Sequence, residues 1–401
     1  MKLKTTNDQR LINNHYPNSK NELSKIVNDL YKNKQKMIIL GGATKTDYGN
    51  PYSSVHNVFT SELNKVIDYN PSDLTVTVES GMKVESLMNL LSENNQYLGY
   101  ILPNKKLSSI GGSTAYGYSG NYRFNDIHIR DSIIGIEAIN YKGDFIKSGG
   151  QVVKNVSGYD LHKLYIGTQG IFGPIYSISF KVYPKPNYET QVIVGFENYE
   201  DVINITKKYL PLNWNIPRLS IYSSSKPKRK LYELFCNISG TKNAVDYIKK
   251  SITEDIKLNN GNLEEVNNDI NISSNLDDFG YDFNEEQLSI RILASKNSDF
   301  QHIVNYFEKC KFNFQFLINP AIGSISLLIE NNDSILSYID EIYEISQLNN
   351  YRIILDYSNI SLRNRLRNKF KNNDNQSILN LTTLLKKNYD PQNLFSTGKI
   401  L

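Results

Sequence analysis

Gly149 to Val182 reads GGQVVKNVSGYDLHKLYIGTQGIFGPIYSISFKV, and its glycine spacing decides the fold. Gly149, Gly150, Gly158, Gly167, Gly170 and Gly173 stand among β-branched runs with little net charge. Glycine at this density weakens ordinary helices and strands, because the unfolded chain loses more entropy on ordering. It is retained where backbone turns at positive φ or lies flush against a ligand. The core Gly167-Thr168-Gln169-Gly170-Ile171-Phe172-Gly173 leads into an alternating run from Pro174 to Val182, the pattern of a half-buried strand.

Two further stretches are equally poor in side chains. Leu40-Gly41-Gly42-Ala43-Thr44-Lys45-Thr46 follows a short apolar strand pattern, Met37 to Leu40. Small residues there let consecutive backbone N–H groups face one concavity, which suits phosphate oxygens; a tight turn without a ligand gives the same local pattern. No G-K-[ST] follows at Walker A spacing, and no Rossmann glycine set with a distal acidic residue is present. The other stretch is IGGSTAYGYSG, Ile110 to Gly120, with Gly111, Gly112, Gly117 and Gly120 beside Ser113 and Ala115. Backbone laid along a flat, extended ligand accounts for it, with a plain loop as the alternative.

The rest of the chain falls into three parts. Residues 1–17 read as a polar, extended lead-in. From 18 to 186 a helix at Asn18–Lys34, strands at Asn57–Tyr69, Leu74–Glu79 and Ile133–Asn140, and a helix at Val84–Asn94 surround the glycine stretches. Tyr141-Lys142-Gly143-Asp144 reads as a hairpin turn before Phe145–Ser148. Pro184 and Pro186 then stop the sheet. From 187 to 360 the rhythm changes to strand, helix, strand, strand, helix, strand, which is the ferredoxin-like βαββαβ unit. It occurs twice, the first time less complete because polar residues from Asn259 to Asp278 follow its second helix. Residues 361–401 read as one helix, Ser361 to Lys387, and a tail. The expected class is therefore α+β.

Of 401 residues 39% are hydrophobic, enough for more than one packed core. A net charge of +4 with no basic run interleaved with aromatics argues against a nucleic-acid partner. The cluster Lys226, Lys228, Arg229 and Lys230 reads as a solvated turn. Cys236 and Cys310 form no C-x-x-C pair, so neither an iron–sulfur cluster nor structural zinc is expected; buried free thiols are. No apolar run approaches the ~20 residues of a transmembrane helix, and no signal-peptide core stands at the N-terminus. The expected location is the cytoplasm, with peripheral membrane attachment through a partner as the alternative.

The three glycine stretches, in this order and spacing, resemble the FAD-binding domain of the PCMH-type (vanillyl-alcohol oxidase) superfamily. The window from Val152 is similar to the pattern VVKNVxGYDLxxLxxGSxGTLGxI of glycolate oxidase FAD-binding E subunits. Gly41–Lys45 resembles that family's R-G-G-G-T-K diphosphate loop, and Gly111–Gly120 its T-I-G-G-x-x-A-x-x-x-S-G segment. Arg130-Asp131 resembles its V-R-D-x-V-L-G run. Tyr389-Asp390-Pro391 to Gly398-Lys399 resembles the F-D-P-x-x-x-F-N-P-G-R tail that returns to the flavin domain, with Thr397 in place of the proline. The likeness implies a two-subdomain FAD-binding domain, a ferredoxin-like cap and bound FAD. The FAD contacts carried over are Gly41, Gly42, Ala43, Thr44, Lys45, Gly111, Gly112, Ser113, Ala115, Gly117, Gly120, Gly158, Gly167, Gly170, Gly173 and Ile175. Leu40 stands where the family usually has Arg, leaving Lys45 as the cationic contact. Ala43 stands where covalent members carry the flavin-linked His, so FAD is expected to be noncovalent.

Catalytic D subunits and D-lactate dehydrogenases of this superfamily carry H-P-G-D-G-N-x-H and E-H-G signatures. The five histidines here, His15, His56, His128, His162 and His302, form neither. The resemblance therefore implies an E-type subunit, working with a second flavoprotein subunit and an iron–sulfur subunit on a 2-hydroxy acid such as glycolate, with no metal of its own. A self-sufficient oxidoreductase of the same fold acting on another alcohol or sugar acid, and a noncatalytic scaffold, are the alternatives. Oxidation of a hydroxy acid needs a base for the hydroxyl proton and an Arg for the carboxylate. Arg130, His128 and Arg291 are the candidates, with Arg123, Arg218, Tyr159 and His162 behind them. Each has a bland reading. Arg130 can pair with Asp131, Arg218 and Arg291 can be edge charges of cap strands, and the histidines can be ordinary surface groups.

Overall fold

The computed structural model describes residues 13–46, 48, 56–117, 120, 128–150, 160–212, 214–225, 232–259, 261–267, 274–279, 287–295, 300–310, 312–330, 334–371 and 376–397. Arg123, Lys154, Asn155, Gly158, Tyr159, the cluster from Lys226 to Lys230, and Gly398-Lys399 lie outside the described residues.

The first helix, Lys20–Lys32, begins where Ser19 Oγ accepts from the Glu22 amide and the Glu22 carboxylate accepts from the Asn18 amide. Its apolar face, Leu23, Val27, Leu30 and Tyr31, is buried against Met37, Val58 and Ile139. This helix covers a parallel sheet in the order Asn13–His15, His56–Phe59, Met37–Leu40. Asn13–His15, ahead of residue 18, is thus a strand of that sheet. The alternating run expected over Asn57–Tyr69 divides into His56–Phe59 and Val66–Asn70, because the chain turns between them at Ser61–Asn64.

A second, antiparallel sheet runs Val66–Asn70, Thr75–Glu79, Ile175–Lys181, Ile133–Ile139, Phe145–Gly149. The helix Val84–Glu93 packs Val84, Leu87 and Leu91 onto its Val76, Val78, Ile178 and Phe180. Lys20 joins the two layers by pairing with Glu137 and lying over the Phe145 ring, 4.1 Å from its centroid.

The chain from Tyr188 builds one eight-stranded antiparallel sheet. Half of it runs Asn262–Asn267, Tyr188–Phe196, Tyr232–Gly240, Arg218–Ser224; the other half runs Phe314–Asn319, Ser324–Glu330, Gln287–Leu293, Arg352–Tyr357. Each half has the strand order of a βαββαβ unit, and the halves meet where Arg218–Ser224 pairs with Phe314–Asn319. The first unit is complete, contrary to expectation: NLEEVN, Asn262–Asn267, supplies its fourth strand. Charged residues are common on edge strands, where they deter further pairing, and this hides the strand in the sequence. The helices Tyr199–Tyr209, Lys242–Leu258, Gln301–Lys309 and Ile335–Leu348 bury one face of the sheet in the largest core of the molecule. The other face carries buried Gln191, Asn237, Ser220, Ser289 and Ser326, with a small apolar patch covered by Leu276 and Phe279.

The helix expected over Ser361–Lys387 is two, Ile360–Lys371 and Gln376–Tyr389. After them the tail lies against Met37: the Met37 amide donates to Leu394 O and the Ser396 amide to Met37 O. Buried Lys386 fastens it, donating to Asp390 (2.6 Å), Ile171 O (2.8 Å) and Phe395 O (2.7 Å). Cys236 and Cys310 are free thiols. Among the described residues no helix is long and apolar enough to cross a membrane.

Candidate FAD site

The first glycine stretch leaves the strand Met37–Leu40 and passes directly over residues 107–109. A Cβ on Gly41 would stand 1.8 Å from Ser109 Oγ, and one on Gly42 would stand 1.9 Å from Leu107 O. Ala43 holds φ at +52, a left-handed conformation that costs a non-glycine residue energy and is retained where surrounding structure imposes it.

The second stretch is a helix, Ile110–Tyr116, and neither an extended backbone nor the loop given as the alternative. Ser109 caps it, its Oγ accepting from the Gly112 amide at 3.1 Å. Gly117 ends it in the left-handed region. Gly111 backs onto Ser80, and its lack of a side chain serves packing inside the protein. The third stretch then docks backbone to backbone on this helix. The Gly167 amide donates to Thr114 O (3.1 Å) and the Gln169 amide to Ala115 O (2.8 Å).

The three stretches thus converge on one cleft of about 560 Å³, part of it open to solvent. Gly41, Gly42, Ala43, Thr44, Lys45 and Thr46 form one wall; Ser109, Gly112, Ser113, Ala115 and Tyr116 form another; Gln169 closes a corner. Gly111, Gly117, Gly120, Gly167, Gly170, Gly173 and Ile175 do not line it. Gly117 abuts Gly167, Gly120 abuts Ile101, and Gly170 sits by Ile39 and Ser396. Gly173 abuts Ile139 O, and Ile175 is buried in the sheet core. Tyr116, Ser109 and Gln169, with Thr46 and the strand residues Ile38, Ile39 and Leu40, are the lining residues that the expected FAD contacts leave out. Gln169 holds φ at +52, as Ala43 does, and no residue type announces that.

Burial pushes the Lys45 ammonium down to about 8, and the Asp278 carboxylate opposes the shift. Lys45 Nζ lies 3.3 Å from Ser108 Oγ and 3.5 Å from Thr44 Oγ1. Ser113 Oγ is buried with no hydrogen-bond partner among the described residues. Side-chain-free backbone and a lysine ammonium lining one cleft, with an unpartnered buried hydroxyl on a wall residue, fit an extended, polar, anionic group such as a dinucleotide.

The catalytic candidates do not gather here. His128 caps the short helix Ile129–Ser132, with Nδ1 accepting from the Arg130 amide at 3.0 Å. Arg130 is exposed on that helix, just ahead of the strand Ile133–Ile139. His162 is buried against Ser148. Arg218 is buried in the cap and paired with Asp277. Arg291 grips Asp356 through Nε (2.5 Å) and Nη2 (2.8 Å).

Residues 15–149 match the family model described as FAD binding domain. Glycolate oxidase subunit GlcE of Escherichia coli is 30% identical over 161 residues, 40% of this chain and 46% of that protein. Glycolate oxidase subunit GlcD of Bacillus subtilis is 25% identical over 185 residues, 46% of this chain and 39% of that protein. The mitochondrial D-lactate dehydrogenase [cytochrome] 1 of Saccharomyces cerevisiae is 25% identical over 206 residues, 49% and 35% of the two chains. The chain thus spans less than half the length of each of these relatives. A solved alkyldihydroxyacetonephosphate synthase shares the fold with a TM-score of 0.71 at 14% identity, over 97% of this chain and 77% of that one. The glycine-lined cleft and the family match together identify residues 15–149 as an FAD-binding domain of the PCMH type.

Proposed function

We propose that the chain is the FAD-binding subunit of an oxidase or dehydrogenase complex acting on a 2-hydroxy acid of the glycolate or D-lactate kind. The observation that carries this reading is the cleft: bare backbone from Gly41 and Gly42, together with Lys45 and Ser113, lines one space. The backbone N–H groups of Gly41–Thr46 and Lys45 hold the diphosphate, and Ser113 donates to or accepts from a polar group of the dinucleotide. Ala43 offers no side chain for a covalent link, so FAD is held noncovalently. When bound, FAD supplies two-electron acceptance at its ring, which is the chemistry of alcohol oxidation. The relatives named as glycolate oxidase subunits and a D-lactate dehydrogenase support a hydroxy acid as the electron source.

One observation favours division of labour over a self-sufficient enzyme. The cap arginines Arg218 and Arg291 each hold an internal carboxylate, Asp277 and Asp356, where a substrate carboxylate would need them. The hydroxy acid is then oxidised with a second flavoprotein subunit, and an iron–sulfur subunit takes the electrons onward. An absorption spectrum of the isolated chain tests this. A yellow protein that releases all its flavin on acid precipitation, and keeps its colour with glycolate or D-lactate until partners are added, is expected. Bleaching by the hydroxy acid alone moves the reading to a self-sufficient oxidoreductase. A colourless chain that takes up no added FAD removes the flavin reading altogether.

A further inference from the structure

The cleft wall is tied to the cap at one point. Tyr116, the last residue of the helix Ile110–Tyr116, lines the cleft, and its hydroxyl donates to Asp356 Oδ1 at 2.8 Å. Asp356 lies on the last cap strand, Arg352–Tyr357, and is buried. Arg291, on the adjoining strand Gln287–Leu293, donates to both of its oxygens. Tyr357, which follows Asp356 on the strand Arg352–Tyr357, pairs with Tyr48, which follows the first glycine stretch. The Tyr48 ring stands edge-on to Tyr116 at 5.4 Å, and Lys45 Nζ lies 5.7 Å from the centroid of the Tyr116 ring. Tyr116 is therefore held from the cap through its hydroxyl and lines the cleft.

We propose that Asp356 is a positioning residue for the cofactor cleft: clamped by Arg291, it fixes Tyr116 against the cleft and so makes FAD retention depend on the seating of the cap. The inference rests on the FAD reading above. It gives Arg291 a role different from the one its residue type suggests. The guanidinium orients an internal carboxylate, and the geometry leaves both Asp356 oxygens accepting charge-assisted bonds. A bond to a buried carboxylate is worth enough that its loss moves binding by about tenfold.

The test is a double-mutant cycle of Tyr116→Phe and Asp356→Asn, both close in shape to the native side chains, read as FAD affinity by flavin fluorescence quenching. Each single variant is expected to weaken FAD by about tenfold; Asp356→Asn also disturbs the Arg291 clamp, so the pair is expected to be no weaker than Asp356→Asn alone, because the Tyr116 bond acts only through that clamped carboxylate. The visible flavin spectrum should shift alike in all three. Independent losses that multiply, or unchanged affinity, overturn the inference. A second arm uses the protein without FAD: amide hydrogen exchange across Ile110–Tyr116 should quicken in Asp356→Asn and in Tyr116→Phe. Unchanged exchange overturns the positioning role even if FAD binds normally. A wild type that takes no FAD overturns the functional reading and the cofactor half of the inference. The exchange arm still decides whether Asp356 orders the helix.

Discussion

Gly41 and Gly42 are neighbours with different reasons for lacking a side chain. A methyl on Gly41 meets chiefly Ser109 Oγ, which can rotate away at the loss of its cap to the Gly112 amide, and Ser109 Cβ at 3.0 Å, which has to give only slightly. A methyl on Gly42 meets Leu107 O, a backbone atom that cannot step aside. Gly41→Ala should therefore cost about 1 kcal/mol, the worth of an N-cap. Gly42→Ala should cost more, about 1–3 kcal/mol of overpacking. Urea midpoints check the order, and Ser109→Ala added to Gly41→Ala should cost little further. Lys45 is the residue with a pH signature. Burial holds its ammonium near 8, below the value it has in the unfolded chain. The folded state then binds fewer protons than the unfolded one between about 8 and the ordinary lysine range, so stability rises with pH across that window. Below about 8 the penalty is present in full. FAD, being anionic, favours the protonated form, so its affinity should fall as pH rises through about 8. Lys45→Met should flatten both profiles, read by urea denaturation of the apoprotein and by FAD titration at a series of pH values.

At the scale of elements, the helix Ile110–Tyr116 shows where local reading stops. IGGSTAY has the composition of a loop, and its helical state is set by the Ser109 cap and by Gly167 and Gln169 donating to its carbonyls from far along the chain. The strand Asn262–Asn267 is missed for the opposite reason, since an edge position lets NLEEVN be polar and still pair. What is legible is what repeats: the alternation of both cap units, the apolar face of Lys20–Lys32 and the glycine spacing of the three stretches. What is not legible is pairing at a distance, such as Tyr116 with Asp356. The helix Gln376–Tyr389 offers a test of its own. Lys386 and Asp390 are an i,i+4 pair with side chains 8% and 0% exposed. Asp390→Ala leaves an uncompensated buried ammonium and should cost about 3–5 kcal/mol, and adding Lys386→Met should recover part of that in equilibrium unfolding.

At the scale of the molecule, the cap has its own core and its own sheet, and Leu362 and Leu366 of the following helix belong to that core. A fragment of residues 187–371 should fold cooperatively, because the sheet face it would expose carries many small polar side chains, among them Ser220, Ser289 and Ser326. A single sigmoidal thermal transition by circular dichroism is the expected result, and a broad, noncooperative loss of signal contradicts it. The FAD-binding domain has no such independence. Its strand Met37–Leu40 is paired on one side by His56–Phe59 and met on the other by Leu394–Ser396, contributed after the entire cap. During synthesis on the ribosome, the loop that starts at Gly41 therefore hangs from a half-flanked strand until Leu394–Ser396 have emerged. Nascent chains stalled within the cap are therefore expected to stay colourless however much flavin surrounds them.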